Sequence, residues 1–217
     1  MNIAPLFQPR AQRTLPLLGA ALLALAALAG LSGCSAMQAQ NPSGNLKPVN
    51  AVPDGADERV MLKGHDVVAY FSAGRHALGQ AQIKSVYEGV TFRFMSAENK
   101  AQFDQAPQKY LPQYGGFCAN GIVYGIPWGG DADTWQMVDG KLYIFGGQGS
   151  KDAFLLDLPG NLKLADKYWK EEVAGSNSFV QRSWRLVARV PHYKNGEALA
   201  RDVANAQAAK ATNAPKP

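Results

Sequence analysis

Sulfur and imidazole are scarce in this chain of 217 residues, which holds 2 Cys, 5 Met and 3 His. Two cysteines cannot supply the disulfide framework on which small secreted domains rely. His65, His76 and His192 are scattered, with no run of metal-ligand spacing around them. Charge is also sparse, at 18% of residues, and the formal surplus of +5 is not spread evenly. From Arg182 onward seven basic residues meet only Glu197 and Asp202, and Arg10 and Arg13 add two positive charges at the other end, so the middle is slightly acidic. That distribution argues against a basic nucleic-acid-binding core. No Ser/His/Asp or paired-carboxylate pattern stands out, so nothing in the sequence supports an enzyme assignment. Gly146-Gly147-Gln148-Gly149-Ser150-Lys151 lacks the spacing of a phosphate loop, and Gly129-Gly130-Asp131-Ala132-Asp133 lacks the closing Glu of a calcium loop; each reads as a turn. What the chain does have is apolar material: 47% hydrophobic residues, with 4 Trp, 8 Tyr and 9 Phe, enough for one real core.

The longest apolar run, Leu15 to Leu31, is uncharged and follows Arg10 and Arg13. That order is the charged and apolar region of a secretory signal, and the run falls short of the ~20 residues that span a bilayer. Leu31-Ser32-Gly33-Cys34 follows it and resembles the bacterial lipobox, where cleavage precedes an acylated Cys. The expectation is a signal over residues 1–33 and lipidation at Cys34. Acylation by several chains would anchor the protein stably to a membrane. Ser rather than Asp at position 35 implies the outer membrane, facing the periplasm. Lipidation of Cys34 would leave Cys118 without a disulfide partner.

Residues 34–58, rich in Ala, Gln, Asn, Pro and Gly, read as a flexible tether. From 59 to 175 the pattern is that of one small α+β domain with short antiparallel hairpins and packed helices. Ser85–Tyr87 and Val90–Phe94 alternate around Glu88-Gly89, and Trp135–Val138 and Lys141–Phe145 flank Asp139-Gly140, the pairing expected of hairpins with type I′ turns. Ser96 is placed to cap a helix from Ala97 to Gln105. Ser150 is expected to cap a helix over Lys151 to Asp157, Leu158-Pro159-Gly160 to break it, and Asn161 to Val173 to resume it. Residues 176–197 form a basic segment read first as a helix, with Phe179, Ser183, Leu186, Val187 and Val190 on one face and Arg182, Arg185 and Arg189 on another, although Val180, Trp184, Leu186 and Val190 also fit a strand. Two placements follow: apolar face on the domain with the Arg face in solvent, or Arg face on anionic lipid. Residues 198–217 read as frayed helix and disordered tail.

Four blocks in order, Lys63-Gly64-His65-Asp66-Val67-Val68-Ala69-Tyr70-Phe71, Tyr87–Phe94, Ser96–Lys100 with Phe103, Pro107 and Tyr110, and Tyr114-Gly115-Gly116-Phe117-Cys118-Ala119, together resemble YHS-domain proteins, in particular a bacterial lipoprotein-like subset. The resemblance spans roughly Val60 to Trp169. It implies a small α+β unit tied to heavy-metal handling in relatives attached to metal transporters and reductases. Those relatives carry Cys at two positions filled here by Met95 and Asn99, so their metal role does not transfer directly.

Packing, metal ligation and nucleophilic attack are all open to Cys118. His65 lies in a polar turn as either a ligand or a hydrogen-bonded turn residue. Brought together, Cys118, Met95 and His65 would form a soft donor set favouring copper in the Cu(I) state. The aromatic residues Tyr110, Tyr114, Phe117, Tyr124, Trp128 and Trp135 are candidates for a ligand pocket or for the core. Two functions stand side by side: an envelope lipoprotein binding a soft metal or small ligand, and a non-catalytic envelope structural or protein-interaction module without metal.

Overall fold

The computed structural model describes residues 38–41 and 48–212. The expected signal, Cys34 and the last five residues lie outside the described residues. Among the described residues no helix is long and apolar enough to cross a membrane.

The architecture is α+β, as the patterning predicts. Strands β1 (Ala51–Asp54), β2 (Asp57–Met61), β3 (Gln80–Tyr87) and β4 (Val90–Phe94) form a sheet in the order β1-β2-β4-β3. β2 and β4 run parallel, with Val60 opposite Thr91, while the outer pairs are antiparallel. Every residue of β4 is buried, as its central place demands. A separate hairpin joins β5 (Asp131–Val138) to β6 (Lys141–Phe145). The helices are α1 (Ala69–Ser72), α2 (Ala97–Gln105), α3 (Pro107–Tyr110), α4 (Ala119–Ile122), α5 (Gln148–Leu156), α6 (Leu158–Tyr168, continued by a π turn, Trp169–Val173), α7 (Ser178–Val187) and α8 (Gly196–Thr212).

Two apolar clusters meet at β6. Leu142 and Ile144 face the sheet side with Phe92, Phe94 and Phe103, and Tyr143 and Phe145 face the helical side with Phe117, Ile122 and Phe154. Alternation with period two lets one strand serve both cores. Phe103 of α2 is the hub of the first cluster, 4.6 Å from the Phe92 ring and 5.2 Å from the Phe94 ring. Helix α2 begins where expected, because the Ser96 side chain accepts a hydrogen bond from the Asn99 amide at 3.2 Å.

Four boundaries differ from the sequence reading. The second half of the tether is ordered: Ala51 to Asp54 add an edge strand, and the Asn50 side-chain amide donates to the carbonyls of Gly116 and Gly130 at 3.0 and 2.9 Å. Gly147, not Ser150, caps α5, since its φ of 126° lets the chain enter the helix from a conformation closed to other residues. Asp157 then caps α6 by accepting from the Gly160 amide at 3.1 Å, so Pro159 and Gly160 sit in a first turn rather than in a break. Where a disordered tail was expected, α8 extends to Thr212; the Asn195 side chain accepts from the Ala198 amide at its start.

Both turns of the hairpins carry the predicted geometry, with φ of 49° and 76° at Glu88-Gly89 and 48° and 72° at Asp139-Gly140. Replacing Asp139 by Pro together with Gly140 by Val forbids positive φ at the first and strains it at the second, at about 1–3 kcal/mol per position. The expected readout is a fall in Tm of several degrees; an unchanged Tm would contradict the role of this turn.

Arg93 of β4 is held under the sheet by ion pairs to Asp54 and Asp57, and Asp57 also accepts from Lys84 at 2.6 Å. The Lys84 and Arg93 hydrogen bonds hold the Asp57 carboxyl below its ordinary value of 3.8. A depressed folded-state pKa means that this contribution is complete above the unfolded value and is lost as pH falls through the lower, folded one. Asp57→Asn should therefore be less stable than the parent at neutral pH, and the difference should shrink as pH falls below 3.8. Urea titrations across that range would show it, and a difference that grows in acid would refute it.

Candidate functional site

Cys118 enters the structure from a left-handed turn. Tyr114, Gly115 and Gly116 take φ of 55°, 61° and 78°, which reverses the chain and drives Phe117 and Cys118 into the core. Gly115 has no alternative there: a Cβ would lie 2.3 Å from the Pro48 carbonyl oxygen. Cys118 is buried and unbonded to any other sulfur. Its amide donates to the Trp128 carbonyl at 2.9 Å, and its own carbonyl accepts from the Gly121 and Ile122 amides as α4 begins.

Burial pushes the Cys118 thiol up, against an opposing set of donors: the backbone amides of Gly121, Gly146 and Asn120 and the Ser150 hydroxyl. At neutral pH the sulfur is a protonated thiol. It opens on a cavity of about 240 Å³ whose walls include Tyr124, Trp128, Ser150, Tyr193 and Lys194. A neighbouring cavity of about 460 Å³ shares Gly146, Ser150, Gly196 and Leu199 with it and runs beneath α8. Together they offer space of small-molecule scale with a few convergent polar groups. Gly146 lines this space closely, since a Cβ there would stand 3.7 Å from the Cys118 sulfur.

The other predicted donors lie elsewhere. Met95 sits after β4, where its amide donates to Asp66 Oδ2 at 2.8 Å and its carbonyl accepts from the Gln80 side chain. His65 places Nδ1 3.0 Å from the Leu62 carbonyl, and its ring lies 6.0 Å from that of His76. Neither Met95 nor His65 lines the Cys118 cavity. Among the described residues no three of His, Cys, Asp and Glu are grouped so that they could hold a metal ion. His192, read as isolated, places Nε2 2.9 Å from the Val123 carbonyl and stacks near Tyr124 and Tyr168.

Met95 and Asn99 converge instead on Asp66, which the sequence reading passed over. This buried carboxylate accepts from the amides of Val68 (2.8 Å), Ala69 (3.3 Å) and Met95 (2.8 Å) and from Asn99 Nδ2 (2.7 Å). It ties the turn before α1 to the start of α2. An acid placed directly before the apolar run Val67–Phe71 was the available signal, because a carboxylate carried inside must find donors.

The aromatic group divides. Tyr124 and Trp128 line the Cys118 cavity, while Phe117 is core, Tyr110 packs edge-on against Phe71 and Trp135 against Tyr70. Tyr114 borders a third, mainly apolar cleft of about 270 Å³ with Met61, Phe92 and Trp169. Its hydroxyl is already committed, donating to Asp166 at 2.8 Å, and burial first and that carboxylate second push its pKa up. Among the described residues the Cys118 cavity joins open space to a thiol and to polar walls, and it is the candidate site.

Comparison of the chain with protein-family models, with curated proteins and with solved structures returned no match.

Proposed function

We propose that the protein is a lipoprotein of the bacterial envelope, anchored through acylated Cys34 at the outer membrane and facing the periplasm, whose YHS-like domain holds a small ligand in the Cys118 cavity. The observation that carries the ligand reading is the cavity of about 240 Å³ that Cys118 lines together with Tyr124, Ser150 and Tyr193. A thiol beside hydroxyl-bearing walls suits a ligand with a soft or hydrogen-bonding group, while Lys194 on the wall is paired with Asp202 at 2.7 Å. A copper site built from Cys118, Met95 and His65 does not fit this arrangement, because the second and third donors belong to the Asp66 side of the domain. No catalytic step is assigned.

Native mass spectrometry of protein released from envelopes in mild detergent tests the reading. The wild type should carry a bound mass that Leu199→Trp, which fills the roof of the cavity, loses. An empty wild-type protein would move the assignment to the non-catalytic interaction module. Anaerobic titration with Cu(I) is the companion measurement: Met95→Leu and His65→Ala should match the parent. A tenfold loss of affinity in Met95→Leu would restore a shared soft-metal site.

A further inference from the structure

Helix α7 is amphipathic in the reverse of the usual sense. Its inward face is polar: Arg182 donates to the Pro127 carbonyl at 2.8 Å and lies 5.6 Å from the Trp128 ring, Arg185 pairs with Glu172, and buried Gln181 donates to the Gly125 carbonyl at 3.1 Å. Its outward face is apolar, with Phe179 47%, Val180 62%, Trp184 58% and Val187 84% exposed. At about 100° per residue these four fall within one arc, and the helix carries no carboxylate. An apolar ridge of this kind on a water-facing surface is a binding face.

The chain itself indicates what covers it. Asn41 Oδ1 accepts from the Ser178 amide at 2.6 Å, and Arg182 Nη2 reaches the Gln40 side chain at 3.4 Å, so the described N-terminal segment is pinned to the start of α7. Asn41 lies seven positions after Cys34, a chain length of at most ~25 Å when fully extended. An acyl group on Cys34 would thus keep α7 within that distance of the lipid surface. We infer that the apolar face of α7 is a membrane seat: Phe179, Val180, Trp184 and Val187 enter the interfacial layer of the same bilayer that holds the lipid anchor, and they orient the domain on it. An interfacial helix face with Trp among aliphatic residues and no acidic side chain matches the chemistry of a bilayer's interfacial layer. This inference rests on the anchoring proposed above.

The test uses the full mature protein reconstituted into phosphatidylethanolamine/phosphatidylglycerol vesicles containing brominated acyl chains, which quench Trp fluorescence on contact. Quenching of the wild type that Trp184→Phe removes, and that Val180→Glu with Val187→Glu reduces at least fivefold, supports the seat. Equal quenching in the wild type and Trp184→Phe overturns it. So does a dimer in sedimentation that Val187→Glu dissolves, because the face would then meet a second copy. The mass of the N-terminal peptide from the same preparation reports the anchor separately: an acylated peptide without Trp184 quenching overturns the seat alone, and an unacylated peptide overturns the anchor.

Discussion

Asp66→Ala is expected to lower the stability of the domain by about 3–5 kcal/mol, the range for removing one partner from a buried charged network. The carboxylate satisfies three backbone amides and one side-chain amide; of the four, the Ala69 amide also donates to the Asp66 carbonyl at 3.2 Å. Water entering the gap would recover part of the loss, but Asp66 is fully buried between the Val67–Val68 turn and the start of α2. Asp66→Asn should cost less, since one oxygen remains, though its new N–H₂ group meets donors rather than acceptors. Asn99→Ala removes a single donor and should cost about 1–2 kcal/mol. Urea unfolding with an unchanged m-value measures each; a loss below about 1 kcal/mol for Asp66→Ala would show that the turn is held by something else.

The same network explains what was legible in the sequence and what was not. Both hairpins could be read because Glu88-Gly89 and Asp139-Gly140 combine period-two flanks with residues that tolerate positive φ, all of it local information. The Ser96 cap was legible for the same reason. Asp66 was not, because its partners lie about thirty residues away at Met95 and Asn99, and only the fold brings them to it. The candidate site was half legible. Cys118 could be singled out as the thiol that the expected lipidation of Cys34 would leave, but Gly146 and Ser150, which line the same cavity, come from beyond the β5–β6 hairpin.

Helix α7 shows a different limit. Helical periodicity separates the Arg face from the apolar face, yet it does not say which one turns inward, and the usual preference for burying apolar groups points the wrong way here. The deciding partners are acceptors elsewhere in the chain: the Pro127 and Gly125 carbonyls and the Glu172 carboxylate, which would otherwise stand unsatisfied against the helix. Three polar side chains answer three such acceptors, and the apolar residues are left outside.

Cys34→Ala should abolish acylation and with it the stable membrane retention of any cleaved, mature form. The basis is the order of features in the sequence: two arginines, an uncharged run from Leu15 to Leu31, and two small residues before Cys34. Each buried methylene contributes about 0.8 kcal/mol, so several acyl chains hold a protein on a bilayer effectively without release, whereas one myristoyl-sized group gives only reversible binding. Without the thiol no chain can be added, and α7 alone presents four exposed apolar side chains on a helix of ten residues. The variant should accumulate as uncleaved precursor or appear in the soluble fraction, and any mature form should wash from membranes at high pH while the acylated wild type stays. Trp184→Phe should leave an acylated protein in the membrane pellet, because on the proposed arrangement the seat would orient the domain and the lipid would retain it. Mass spectrometry of the N-terminal peptide decides the matter: the wild type should carry acyl mass on Cys34, and an acylated, membrane-retained Cys34→Ala protein would place the anchor elsewhere in the chain.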